Sequence, residues 1–324
     1  MINSYENLYN VMNIQTASYD SIYMERFIRR RIKKLGLSYT TDDYGNIYVT
    51  KGKADLYPTM VCHIDTVHEV NLNVKVFRTD NKLFAFDTKE MQQYGIGGDD
   101  KVGIYITLQL LQQFENFKAV FFKDEEVGCI GSGQANYDFF NDSTIVLQCD
   151  RKGNTDFVNE IMSYEMYGED LQQIIAPILK HYKRKETSGG LTDVLSIAKN
   201  NEVQVANMSC GYYNPHCADE YISINDVFTT AILCYQILKA TKDKRYTIKR
   251  KTPVYPKYNY TRQYVPAQYN HFDFDTPEKA DTYDGWCAKC GNITIFDDLE
   301  SAYYCNACNG YTMYYDNNYE YSEL

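Results

Sequence analysis

His63 stands at the end of a short apolar run, Met60-Val61-Cys62, and Asp65 follows two places later. On an extended segment, side chains two apart point the same way. Asp65 is therefore placed to hold the His63 ring, as a carboxylate behind a metal-bound imidazole does. Further acids stand at comparable places. Asp99 and Asp100 follow the glycines Gly95, Gly97 and Gly98, ahead of an apolar helix predicted at 104–114. Glycines there let backbone pack closely around a crowded site, although two Asp at a helix mouth also serve as caps. Asp124, Glu125 and Glu126 end the apolar strand 118–122, and Asp150 ends the strand 144–148. His216 comes late, in Asn214-Pro215-His216. Neighbouring acids at a strand end diverge, so that one can bind a metal while the other serves as a base. Among His63, Asp65, Asp99, Glu125, Glu126, Asp150 and His216, five could ligate two metal ions, with one carboxylate bridging them. Water between the ions, made acidic by them, could then attack a carbonyl at neutral pH.

The elements that must position these residues read as an α/β chain. Ile22, Phe27, Ile28 and Ile32 recur at helical spacing within 21–36, with Gly36 as the stop, and strands follow at 37–40, 47–50, 74–78 and 82–86. Helices are predicted at 169–181, 194–199 and 226–242, with a strand at 203–207. Strands alternating with helices predict a three-layer α/β/α domain over residues 1–241. The acids then collect at the carboxyl ends of the strands, where ligands bind in open α/β sheets.

The His-x-Asp-Thr-Val, Gly-Gly-Asp-Asp-Lys-Val-Gly, Asp-Glu-Glu-Val-Gly, strand-end Asp and Pro-His-x-x-x-Glu motifs occur in this order. Their sequence resembles the co-catalytic dizinc exopeptidase clan, which includes peptidase T, acetylornithine deacetylase and compact zinc aminopeptidases. The resemblance covers about residues 15–242 and implies a mixed central sheet. It also implies two zinc ions, or cobalt or manganese in their place. Asp99 would bridge them, Glu126 and His216 would complete one site, and His63 and Asp150 the other. Glu125 would be the general base and Asp65 would orient His63. The resemblance implies a peptidase of short peptides, an aminopeptidase or a di/tripeptidase, and an Asp at position 150 favours aminopeptidase-type members. An N-acyl amino acid amidohydrolase uses the same site, and a non-catalytic zinc-ribbon binding protein is the third reading. The chain departs from the clan in its spacing. Only 36 positions separate His63 from Asp99, and 66 separate Asp150 from His216, too few for the clan's barrel or lid inserts.

Beyond the first domain, 242–283 is a basic, Tyr- and Pro-rich linker, with nucleic-acid binding as its minor alternative. Cys287, Cys290, Cys305 and Cys308 form two CxxC knuckles with 14 residues between them. That spacing predicts a zinc ribbon over 284–313 with one structural zinc, which is not part of the clan pattern. Residues 314–324 form an acidic tail expected to be disordered.

The net charge of −10 argues against bulk binding of nucleic acid. The N-terminal stretch has no signal-peptide pattern, and no apolar run approaches the roughly 18 residues of a membrane span. A cytoplasmic protein is expected, with its remaining cysteines as thiols. Cys62, Cys129, Cys149, Cys210 and Cys234 read as core, and Cys217 as a residue that lines the site. His68, His181 and His271 have no partner at ligand spacing and read as having no role.

Overall fold

The computed structural model describes residues 3–250 and the strands 295–297, 302–305 and 310–312. The chain divides into two compact units, Met1–Pro253 and Val254–Leu324.

In the first unit, the strand Tyr57–His63 is buried along its whole length and lies between Phe117–Phe122 and Ser143–Gln148, parallel to both. Val205–Met208 continues the parallel set beside Ser143–Gln148. These strands read as apolar runs rather than alternating ones because helices cover both of their faces. Gly98–Gln113 and Ile224–Thr241 pack against Tyr57–His63, as does Asp193–Asn200. Antiparallel neighbours make the sheet mixed. Ile47–Lys51 pairs with Phe117–Phe122, and Asp156–Ile161 with Val205–Met208. Nine strands belong to this sheet among the described residues. The architecture is the three-layer α/β/α arrangement with a mixed sheet that the sequence predicts, and one continuous apolar core fills it.

A second sheet packs beside helix Gly98–Gln113. It runs Tyr212–Tyr213, Tyr221–Ser223, Lys82–Asp87 and Val74–Thr79, with Gln92–Tyr94 beside Lys82–Asp87. Val74, Val76, Leu83 and Ala85 alternate inward along it. This sheet joins the segment before Asp99 to the loop that carries His216, two regions more than a hundred residues apart in the chain.

Helix Gly98–Gln113 starts six residues before its predicted start, because side-chain oxygens satisfy its first N–H groups. The Glu220 carboxylate accepts from the Asp99 amide and Asp100 Oδ1 from the Gly103 amide. Asp99 (φ −76°, ψ 104°) and Asp100 (φ −112°, ψ 34°) keep non-helical backbone inside it. The amphipathic closing helix, predicted at 226–242, is Ile224–Thr241, capped by the Ser223 hydroxyl accepting from the Asp226 amide.

Residues past Thr241 stay on this unit as far as they are described. Tyr246 is buried, and the Arg250 guanidinium donates to the carbonyls of Glu165, Met166 and Val203. No helix among the described residues is long and apolar enough to cross a membrane.

In the second unit, Ile295–Asp297, Ala302–Cys305 and Gly310–Thr312 form a small antiparallel sheet. Cys287, Cys290 and Cys308 lie outside the described residues, and Cys305 is described only as a strand end. The remainder of the linker from 251, His271 and the 314–324 tail lie outside them too.

Candidate metal centre

Three adjacent parallel strands deliver side chains to one edge of the sheet. His63 ends Tyr57–His63, Glu125 and Glu126 follow Phe117–Phe122, and Asp150 follows Ser143–Gln148. Asp99 arrives on the segment entering helix Gly98–Gln113, and His216 on the loop between the two short strands of the second sheet. The Asp99 carboxylate lies between the two imidazoles. Its Oδ1 is 3.3 Å from His63 Nε2 and its Oδ2 is 3.3 Å from His216 Nε2. Glu126 Oε2 is 3.1 Å from His216 Nε2, and Asp150 Oδ1 is 3.7 Å from His63 Nε2. Glu125 Oε2 stands 4.0 Å from His63 Nε2. Two overlapping donor groups result, His63 with Glu125 and Asp150, and His63 with Asp99 and Glu126. In each, the ligand atoms lie within 4.8 Å of one another.

Buried hydrogen bonds fix the orientation of these groups. His63 Nδ1 donates to the Asp65 carbonyl at 3.1 Å and faces its carboxylate at 3.4 Å, which aims Nε2 at the acids. Asp65 also accepts from the amides of Glu125 and Glu126, at 3.0 and 3.3 Å, and from the Ser18 hydroxyl. One carboxylate thus sets both the His63 ring and the loop of the two glutamates. Asp150 Oδ2 accepts from Thr192 Oγ1 at 2.7 Å and Gln148 Nε2 at 3.2 Å, while the Tyr212 hydroxyl lies 3.3 Å from Oδ1. Asp100 turns away from the cluster and accepts from the His63 amide.

Several of these partners carry no motif of their own. Thr192, Gln148 and Tyr212 act through Asp150. Asp193 is fully buried beside Gln148, which donates to its Oδ2 at 3.0 Å. His68, which read as having no role, lies 3.0 Å from the buried Glu220. Only Glu220 had a sequence signal, the fourth place after His216. Cys62, Cys129, Cys149, Cys210 and Cys234 are buried and Cys217 is exposed. Cys129 is also more than packing, since its thiol donates to Glu125 Oε1 at 3.2 Å.

The charge balance is one-sided. Among the described residues no Lys or Arg pairs with Asp99, Glu125, Glu126 or Asp150; their cationic partners are the two imidazoles. Burial, then neighbouring acids, pushes Glu126 up to about 7, Asp150 up to about 6 and Glu125 well above the carboxylate range. Burial also pushes Asp193 up to about 7. Hydrogen bonds to Asp99 and Glu126 push His216 up to about 11. Burial would lower His63, but hydrogen bonds to Asp150, Asp65 and Asp99 hold it well above its usual value. Burial opposes ionisation of Asp99 as well, yet the two imidazoles hold it far below the carboxylate range. Glu126 Oε1 is buried without a hydrogen-bond partner. Nitrogen and oxygen donors converging with unpaired negative charge suit divalent zinc, cobalt or manganese.

These shifts set how the metal-free protein responds to pH. Glu125, Glu126, Asp150 and Asp193 hold protons in the folded state that the unfolded chain releases near pH 4, and the two histidines hold theirs past pH 6.5. From pH 5 to 8 the folded state therefore binds more protons than the unfolded one, so stability falls as pH rises. Asp65 and Asp99 are shifted down and are already ionised across this window in both states. The expected result is a Tm lower at pH 8 than at pH 5 by at least about 3 °C, reversed by added zinc. A chelated sample scanned by calorimetry at both pH values checks this; equal Tm values would mean that the acids are not burdened by one another.

No family model matches the sequence, and no curated protein matches it. Solved structures do match. An aminopeptidase from Bacillus cereus superposes with a TM-score of 0.59 at 13% identity, over 74% of this chain and 100% of that one. A tripeptidase from Staphylococcus aureus gives 0.59 at 14%, over 73% and 96%. An aminopeptidase from the archaeon Desulfurococcus kamchatkensis gives 0.56 at 14%, over 73% and 94%. The chain has the fold of these peptidases. At such identities the likeness is one of architecture.

Proposed function

We propose that the first unit is a dizinc aminopeptidase acting on short peptides. The observation that carries this reading is the Asp99 carboxylate, whose two oxygens face two imidazoles on separate segments with Glu126 and Asp150 beyond them. His63 and Asp150 would hold one ion, His216 and Glu126 the other, and Asp99 would bridge. When bound, such ions polarise a scissile carbonyl and bring the pKa of water towards neutrality. Glu125 takes the proton from the attacking water and gives it to the leaving amine. Its burial suits that task, because burial raises the proton affinity of a carboxylate and so makes it a stronger base. Asp65 keeps His63 and the Glu125 backbone in register.

The choice of a peptide with a free amine draws on the fold shared with two aminopeptidases and a tripeptidase. In the second unit, Cys287, Cys290, Cys305 and Cys308 would hold one structural zinc, and metal binding would fold that module. The protein is read as cytoplasmic.

The test is a panel of peptides two to six residues long with free or acetylated N-termini, alongside N-acyl amino acids, assayed with zinc, cobalt or manganese. Release of the N-terminal residue from free-amine peptides is expected, with at least about a hundredfold preference over their acetylated forms. Cleavage of only the N-acyl amino acids would transfer the same centre to deacylation.

A further inference from the structure

Glu220 is 0% exposed and is not among the proposed ligands. Its Oε2 accepts from the Gly97 amide at 2.7 Å and faces His68 Nε2 at 3.0 Å, and its Oε1 accepts from the Asp99 amide at 3.2 Å. The Glu220 amide in turn donates to the Cys217 carbonyl, closing the turn that follows His216. Three segments therefore meet on one carboxylate: the stretch after His63, the approach to Asp99, and the loop bearing His216. The glycines make room for it. A Cβ on Gly95 would stand 2.0 Å from the His68 ring, and one on Gly98 would stand 2.7 Å from Tyr212 Cβ and 3.2 Å from Glu220 Oε1. Lys101 lies close enough to Glu220 for their charges to interact, although its ammonium donates to the carbonyls of Met12 and Ile96.

The two halves of the proposed metal cradle are braced differently. His63 and Asp150 stand at the ends of core strands and have their own supports in Asp65, Thr192 and Gln148. His216 sits on a loop, 48% exposed, with a left-handed φ of 64°. We propose that Glu220, oriented by His68, is the positioning residue that fixes His216 and the Asp99 backbone together, so that it governs the affinity of the ion at His216 more than that of the ion at His63. This rests on the reading of the cradle as a two-ion site.

The experiment has a metal-free arm and a metal arm, both on the full chain. Glu220→Gln keeps the shape but turns an amide NH₂ towards an N–H donor. In the chelated protein, hydrogen exchange is expected to rise at least about tenfold at residues 96–99 and 212–221 and to stay unchanged in Tyr57–His63. In a zinc titration by calorimetry, one ion should weaken by at least about tenfold while the other stays within about threefold. His68→Gln removes only the half-buried partner and should move both readouts in the same direction by less, which keeps the test open should Glu220→Gln not fold. Unchanged exchange in both variants, or equal weakening of both ions, would overturn the proposal. A wild-type protein that takes up no pair of ions beyond the one held by the four cysteines would overturn the two-ion reading, and the exchange data would still decide the clamp.

Discussion

Glu125→Gln is expected to lower kcat by about 10²–10⁴-fold while both ions and the fold remain. The side chain follows a core strand, and its position is set by backbone rather than by its own charge. Its amide donates to Asp65 Oδ1, and the Cys129 amide donates to its carbonyl at 2.7 Å. Gln preserves those bonds and the packing, and it removes a carboxylate that burial and neighbouring acids already burden. Stability should therefore hold or rise. What is lost is the ability to take up a proton. The distances give this variant a second use. Glu125 also forms a possible donor group with His63 and Asp150, so it could be a ligand instead of a base. Turnover lost with full metal content identifies the base. Turnover lost together with an ion identifies a ligand, and turnover retained removes Glu125 from the chemistry. Steady-state kinetics and metal analysis on the same preparation decide among the three.

Asp99→Asn is expected to weaken ion binding by more than about a hundredfold at one site or both, and to abolish turnover with it. Asp99 is the one carboxylate with an oxygen 3.3 Å from each imidazole. An amide offers one oxygen in place of two and no charge, so it cannot bridge two cations. The fold should survive, because the Asp99 backbone is held by Glu220 and helix Gly98–Gln113 is buried along most of its length. Near-native circular dichroism with a loss of metal would separate this effect from unfolding.

Much of this was legible in the chain, for physical reasons that differ between parts. The strands before His63, Glu125 and Asp150 are short apolar runs that stop abruptly at charge, and such runs buried on both faces announce a parallel sheet. Their adjacency brings the acids together. The junction of Asp99 with His216 is of another kind. It depends on the second sheet, where Lys82–Asp87 pairs with Tyr221–Ser223 across more than a hundred residues, and no local pattern states that pairing. The same holds for His68. Its partner is 152 positions away, far beyond any ligand spacing in the sequence. Thr192, Gln148 and Tyr212 look like ordinary polar or core residues until Asp150 is placed among them. Helix Gly98–Gln113 begins earlier than its sequence suggests because three glycines in four residues read as loop, whereas in the fold Gly95 and Gly98 make room for His68 and Glu220.

The most direct measurement is anomalous diffraction at the zinc edge from crystals of the full chain grown with zinc. Besides a peak at the four cysteines, the account predicts two peaks flanking the Asp99 carboxylate, one against His63 and Asp150 and the other against His216 and Glu126, with one or both absent in Asp99→Asn. A single peak among these side chains, or a pair that leaves Asp99 unligated, would contradict it.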